Sequence, residues 1–419
     1  MDAPETDQQV MARSGTFVLR RPASSDSGGS GREYDGGSRG SETPKGQEEA
    51  EAQTSNHRRI PEVRTTQGAV NLFIFRLETF DPELPLVMRD SHELPAMTRW
   101  FEPRGLHGDH TLSPRLTRYS QTIFPYELTD PAASASAIPG QYPSLGGILT
   151  EFRSWLIAHS NERYLPLMSL IAALADPSTL HEDDDPSSYS ADHSGSSSTP
   201  QKQEFRQFYA PLGLLARACE FNATRPRQYP HTRLQRLYIA QCPVDHLPKS
   251  RSKDGGKDGN GDGDLAKEDL PTPGLVHGAG RGDIYGSSVW LGLEPTCTPL
   301  HRDPNPNLFC QLLGEKHVRI LPPARGQALY ERVRAEVGMR GDANSRLRGA
   351  EMMGGVEREA LERAVWGEGE DAVVEEGQAD MQQAVLRPGD TMFIPKGWWH
   401  SVRSNGAGVL NASVNWWFR

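Results

Sequence analysis

The sequence predicts a mainly β fold with flanking helices, in which a sandwich or barrel of short strands occupies the C-terminal half. Three observations carry that expectation. From Leu237 onward the apolar residues fall into strand-sized runs broken by turn pairs such as Pro388-Gly389 and Lys396-Gly397. Helical spacing is prominent earlier, in Ile148, Phe152, Trp155 and Leu156. The 419 residues are only 36% hydrophobic, with a mean hydropathy of -0.61, and the polar excess sits in a few blocks. Residues 1–59, 179–203, 248–279 and 366–380 are rich in Gly, Ser, Asp, Glu or Lys and offer little to a core. Setting them aside leaves about 290 residues, the size of one large domain.

In chain order, residues 1–59 read as a disordered tail, because a stretch such as SDSGGSGREYDGGSRG buries too little to offset the entropy of ordering. Order is expected from Ile60-Pro61, giving a single unit over 60–419 with polar inserts at 179–203, 248–279 and 366–380. Apolar clusters follow at Val70 to Phe75, Leu86 to Met88 and Trp100-Phe101. The helix through Ile148 to Leu156 is succeeded by a second over Leu167 to Leu174, which Asp176-Pro177 stops. Strands are expected at Leu237 to Ala240, Ser288 to Leu293, Asn307 to Leu313, His317 to Leu321, Ala384 to Leu386, Thr391 to Ile394 and Val409 to Phe418. Between them, 325–365 has helical character, with Glu357, Arg358, Glu359, Glu362 and Arg363 assigned to a solvated face.

Charge and cysteine usage narrow the function classes. The net charge of -10 argues against a protein that coats nucleic acid or an anionic membrane. Much of it is local, since Glu182 to Asp185 holds four acids and Trp366 to Asp380 six acids and no base. Cys219, Cys242, Cys297 and Cys310 form no C-x-x-C, so neither a zinc ribbon nor a disulfide framework is expected and a reducing compartment fits. The N-terminus has no basic segment followed by an apolar one, and no window approaches about 18 apolar residues. The expectation is an intracellular protein, cytoplasmic and/or nuclear. In the insert KDGNGDGDLAKED, Asp258, Asn260, Asp262, Gly263 and Leu265 fall at calcium-loop positions. The twelfth position is Asp269 rather than Glu and no amphipathic helix precedes it, so the linker reading is preferred.

The residues that carry chemistry begin at Thr298-Pro299-Leu300-His301-Arg302-Asp303. On a strand, residues i and i+2 share a face, so His301 and Asp303 aim an imidazole and a carboxylate at one point. His400, in FIPKGWWH, supplies a second imidazole. Two histidines and a carboxylate with open positions suit non-haem Fe(II) that activates oxygen. An H-x-D pair is weak by itself in a chain with 13 histidines. Its company strengthens it. Lys316 follows one strand and the Gly314-Glu315 turn, returning beside the metal position. A lysine facing a barrel interior needs a carboxylate partner, which a dicarboxylate cosubstrate supplies. Asn307 and Asn415 are polar positions at or within otherwise apolar strands; satisfying backbone at a strand end is the other role open to them.

The runs WLGLEPTCTPLHRDPNPNLFCQLLGEKHVRILPP, LRPGDTMFIPKGWWHSV and VNWWF closely resemble the JmjC-domain oxygenases. Within them the chain is similar to the small JmjC-only group of arginyl, lysyl and asparaginyl hydroxylases and a tRNA-base hydroxylase. The resemblance covers most of 60–419 outside the inserts. It implies a double-stranded β-helix of the cupin or jelly-roll type that uses Fe(II), with 2-oxoglutarate and O2 as cosubstrates. It implies His301, Asp303 and His400 as iron ligands and Lys316 as partner of the distal carboxylate of 2-oxoglutarate. Thr298, Asn307 and Tyr238 match further cosubstrate-pocket positions, as do Trp290 and Asn415. The implied chemistry couples decarboxylation of 2-oxoglutarate, giving succinate and CO2, to hydroxylation of a C-H bond.

The reading that follows is a dioxygenase hydroxylating a protein side chain of the Arg or Lys type, with a protein or peptide as its partner. A histone-lysine demethylase is the alternative sharing this chemistry; no Cys/His zinc module stands beside the site to read chromatin. A tRNA-base hydroxylase needs a basic face, and Arg58-Arg59 with Lys249 to Lys253 make only small clusters. A non-catalytic cupin binding protein is the third class, against which the complete triad speaks. Inserts at 248–279 and 325–380 flank the site strands, and the chain ends at Arg419 directly after the last strand, without the helices by which some relatives dimerise. Substrate choice and oligomeric state are therefore left open.

Overall fold

The computed structural model describes residues 58–64, 70–104, 108–130, 144–159, 165–176, 205–249, 264–338, 355–367 and 380–419. The tail over 1–57, the insert at 179–203, the calcium-loop positions Asp258 to Gly263 and the acids Glu368 to Glu376 lie outside the described residues.

Sixteen strands are described: β1 (Arg58–Arg59), β2 (Glu62–Arg64), β3 (Leu86–Arg89), β4 (Phe101–Arg104), β5 (Asp109–Leu112), β6 (Ile123–Thr129), β7 (Phe205–Pro211) and β8 (Leu237–Pro243), followed by β9 (Ile284–Leu293), β10 (Thr296–Arg302), β11 (Asn307–Leu313), β12 (Lys316–Leu321), β13 (Gln382–Leu386), β14 (Thr391–Ile394), β15 (Trp399–Ser404) and β16 (Leu410–Phe418). The larger sheet runs β2-β3-β14-β11-β16-β9-β8-β6-β7 and the smaller β1-β13-β12-β15-β10; β4 and β5 form a separate hairpin. Strands β9, β11, β14 and β16 lie in the larger sheet, while β10, β12, β13 and β15 lie in the smaller. This is a jelly roll, the double-stranded β-helix, extended at its edges by flanking strands.

Strand parity sorts the side chains into layers. On β11 and β16, Leu308, Cys310, Leu312, Ala412, Val414, Trp416 and Phe418 face outward into the main core. There they pack with helices α1 (Leu145–His159), α2 (Leu165–Ala175) and α3 (Gly213–Ala223). The alternate residues Asn307, Phe309, Asn415 and Trp417 face the space between the sheets. At one end that space is closed by Phe309, Val318, Ile320, Leu386, Met392, Ile394 and Val402. Behind the smaller sheet lie α4 (Pro323–Glu336) and α5 (Gly355–Trp366), which share a core with Leu300, Leu321 and Trp399. A side chain at Gly326 would meet Trp399 at 2.2 Å, so glycine lets α4 seat directly on the strand that carries His400.

Four sequence expectations need correction. Residues 264–279 belong to the fold, because Leu265, Leu270, Leu275 and Val276 are buried in the core. Asp269 is fully buried and accepts from Arg99 at 3.0 Å, Arg115 at 2.5 Å and Trp100 Nε1 at 2.9 Å. Its oxygens are thus spent on guanidinium and indole donors that hold this segment in place. The charged face assigned to 325–365 is partly inward: Glu357 and Arg358 are buried, and Tyr330 donates to Glu357 at 3.2 Å. His400 lies on β15, a strand absent from the expected set, as are the two pairing strands β6 and β7. The tail ends slightly earlier than expected, since Arg58 and Arg59 already pair with Gln382 and Gln383.

Candidate metal centre and cosubstrate pocket

Adjacent antiparallel strands bring the two histidines together. His301 on β10 stands directly opposite His400 on β15, after a register irregularity between Thr298 and His301. Their ring centroids are 4.2 Å apart. Each ring is fixed in the same way, with Nδ1 of His301 2.8 Å from the Pro299 carbonyl and Nδ1 of His400 3.1 Å from the Trp398 carbonyl. A carbonyl oxygen only accepts, so each Nδ1 carries the proton and each Nε2 keeps the lone pair a metal takes.

Asp303 lies one residue past the end of β10 rather than on it. Its Oδ2 is 3.6 Å from Nε2 of His400, and ligand atoms of His301, Asp303 and His400 all fall within 4.8 Å of one another. Burial raises the Asp303 carboxyl, but the two imidazoles and hydrogen bonds from Trp417 and Asn307 outweigh it, holding the group below the usual carboxylate range. Trp417 Nε1 donates at 2.9 Å and Asn307 Nδ2 at 3.0 Å, both to Oδ2. Neither bond engages Oδ1. Two imidazoles with lone pairs inward and one oriented carboxylate are the donor set that suits Fe(II) with open coordination positions, so the residues fit that ion.

The bond from Asn307 ends a longer relay. Trp290 Nε1 donates to Asn415 Oδ1 at 2.7 Å, Asn415 Nδ2 to Asn307 Oδ1 at 3.1 Å, and Asn307 Nδ2 to Asp303 Oδ2. All four side chains are buried. The chain begins at a group that only donates and ends at one that only accepts. Both amides are therefore oriented without ambiguity, since flipping either would set donor against donor.

Lys316 opens β12 after the turn at Gly314, whose φ of 73° favours glycine and where a side chain would meet Asn411 Nδ2 at 2.6 Å. Lys316 is buried, and its ammonium donates to Ser413 Oγ at 2.7 Å and Tyr238 hydroxyl at 3.1 Å. A lysine flanked by two hydroxyls is a carboxylate-binding arrangement. His301, Asp303, His400, Lys316, Thr298, Asn307, Asn415 and Trp290 all line one cleft of about 1190 Å³. Apolar Phe309, Ile394 and Val402 complete its inner wall.

The structure thus brings every sequence-expected site residue to one place, with Tyr238 entering through Lys316. It differs in how some take part: Asn307, Asn415 and Trp290 form the relay that ends on Asp303. Sequence reasoning missed Ser413 and Trp417. Both sit two residues from Asn415 on the same strand, so strand parity applied to SVNWWF, one residue longer than VNWWF, would have placed them on the cleft face.

The profile of a family described as "Cupin-like domain" matches residues 178–419, more than half of the chain. Among curated proteins, the chain is 29% identical over 153 residues to "Lysine-specific demethylase 8" of Danio rerio, covering 36% of this chain and 32% of that protein. It is 26% identical over 139 residues to "Lysine-specific demethylase JMJ30" of Arabidopsis thaliana, covering 33% and 27%. It is 27% identical over 138 residues to "Bifunctional peptidase and (3S)-lysyl hydroxylase JMJD7" of Homo sapiens, covering 31% and 40%. The chain therefore spans between about a quarter and two-fifths of the length of these relatives.

Proposed function

Because the chain belongs to the cupin-like, JmjC-type domain family, we propose that it is an Fe(II)- and 2-oxoglutarate-dependent dioxygenase that hydroxylates a protein side chain of the Arg or Lys type. The observation that carries the reading is the buried His301, Asp303 and His400 group in the same cleft as Lys316. In this reading those three residues hold Fe(II), and Lys316 with Tyr238 and Ser413 pairs the distal carboxylate of 2-oxoglutarate. Thr298, Asn307, Asn415 and Trp290 border the cosubstrate. Bound iron supplies oxygen activation; the chain supplies orientation of the carboxylate ligand, anchoring of the cosubstrate and a dry apolar inner wall. Residues 60–419 act as one catalytic unit.

Charge supports a cationic substrate. The formal charges of Fe(II), dianionic 2-oxoglutarate, Lys316 and Asp303 cancel, which leaves Glu127 and Asp245 as the remaining carboxylates of the cleft lining. Such a surface attracts Lys or Arg and repels a phosphate backbone, which counts against a tRNA substrate. The names of two relatives make a methylated lysine the second reading, since it presents the same cationic head. The four free thiols fit a reducing compartment, cytosol or nucleus. Among the described residues no helix is long and apolar enough to cross a membrane.

The test is mass spectrometry of a cell extract treated with purified protein, Fe(II) and 2-oxoglutarate. A stable gain of one oxygen on Arg or Lys of a protein is expected. Loss of an N-methyl group with formaldehyde release would assign demethylation, and an oxidised tRNA nucleoside in place of a modified protein would contradict the reading.

A further inference from the structure

Beyond the eight strands of the jelly roll, the larger sheet continues through β8, β6 and β7. On β6 and β7 one face carries Ile123, Pro125 and Glu127 opposite Gln207 and Tyr209, in the register Pro125 to Tyr209 and Glu127 to Gln207. These residues line the mouth of the cleft that holds the metal centre. A sheet face open to water is ordinarily polar. Here Ile123 is 58% and Tyr209 76% exposed; Ile284 and Tyr285 of β9, also in the cleft lining, are 40% and 50% exposed, with the Arg419 guanidinium 5.1 Å over the Tyr285 ring. Large exposed side chains along one stretch of the cleft lining, led by Ile123 and Tyr209 on a single sheet face and bordered by polar residues, mark an interaction surface. The cleft, at about 1190 Å³, also exceeds the volume of roughly 300–1,000 Å³ usual for a small-molecule site.

We propose that the β6–β7 face, with Ile284 and Tyr285, is the docking surface for an extended protein segment in which apolar residues flank the basic residue to be modified. This rests on the reading of the cleft as a protein-modifying site. The occupant follows from continuity and charge. Exposed Asp245, and Glu127 buried in the cleft wall beside Gln207, favour a cation entering the cleft, while Ile123 and Tyr209 offer apolar area beside them. A nucleic acid would meet carboxylates and no arginine among the lining residues.

The experiment uses the full chain loaded with Mn(II) and N-oxalylglycine, a non-reactive analogue of 2-oxoglutarate. Three fluorescent peptide pools carry a central Lys or Arg with flanks that are apolar, neutral polar or acidic. Anisotropy titrations are expected to give at least about tenfold tighter binding for the apolar pool than for the neutral polar one, with the acidic pool weakest. In the double variant Ile123→Ser, Tyr209→Ser the ratio between the first two pools should fall to about twofold or less, with an unchanged circular dichroism spectrum. Equal binding of those pools, a ratio that survives the double variant, or no binding by any pool overturns the proposal. So does an RNA oligomer that binds the wild type and loses affinity in the double variant. Succinate formation is read in parallel with active protein. Apolar preference without succinate would sink the enzyme reading and leave the surface; succinate without preference would do the reverse.

Discussion

At the residue scale, the centre depends on how Asp303 is held as much as on which residues surround it. Two donors occupy Oδ2, one from Trp417 and one from the relay that starts at Trp290. Loss of an orienting partner typically weakens metal affinity about 10- to 100-fold. Asn415→Leu breaks the middle of the relay and leaves the Trp290 N-H and the Asn307 amide oxygen without these bonds. Each buried group so stranded costs about 1–3 kcal/mol, so melting temperature should fall by several degrees as Mn(II) affinity, read by electron paramagnetic resonance without cosubstrate, drops. Trp290→Phe removes only the first donor and should weaken Mn(II) binding less. Unchanged affinity in both variants would reduce the relay to packing. The triad and Lys316 were legible because H-x-D, a distant His and a lysine after one strand form a joint pattern. The relay was not, because side-chain polarity across three strands has no signature in local spacing.

At the element scale, apolar runs revealed most strands of the jelly roll, and pairing decided the rest. In β15 the segment WHSVRS shows little apolar alternation, yet it is a strand because β10 and β12 bond it on both sides. The helices over 325–365 were legible in propensity, whereas the inward turn of Glu357 and Arg358 depends on the partner helix. One half-buried titratable group ties flanking elements to the barrel. His92, after β3, has Nδ1 2.9 Å from Thr391 Oγ1 on β14, and burial pushes it down to about 4 from an ordinary 6.5. Because the folded value is the lower one, the unfolded chain takes up this proton first as pH falls. Its contribution to stability is present above about pH 6.5 and is lost between there and about pH 4. Urea unfolding should therefore show that His92→Asn loses less stability than wild type from pH 7 to pH 5. Parallel curves would contradict this account of His92.

At the scale of the whole molecule, among the described residues α1 to α3 pack on one side of the sandwich and α4 and α5 on the other, and the cleft with the metal centre lies between the sheets. The chain's charge of -10 says little about that cleft, since ten of its acids sit in two short runs. The local pair Glu127 and Asp245 matters more to the substrate. The low hydrophobic fraction likewise reflects the polar blocks, because the described residues hold a large continuous core. Composition had assigned all of 248–279 to those blocks; Asp269 and its three partners show why that failed, since one buried carboxylate anchors a segment whose composition reads as linker. The central claim is that this cleft turns over 2-oxoglutarate with iron. The direct measurement is succinate formed from 2-oxoglutarate by purified protein with Fe(II) and O2 in the presence of cell-extract protein, compared with His301→Ala. Succinate at least about a hundredfold above the variant is the predicted result, because losing a ligand outright costs no less than the roughly 10- to 100-fold lost with an orienting partner. Equal succinate from both proteins, or none from either, would contradict it.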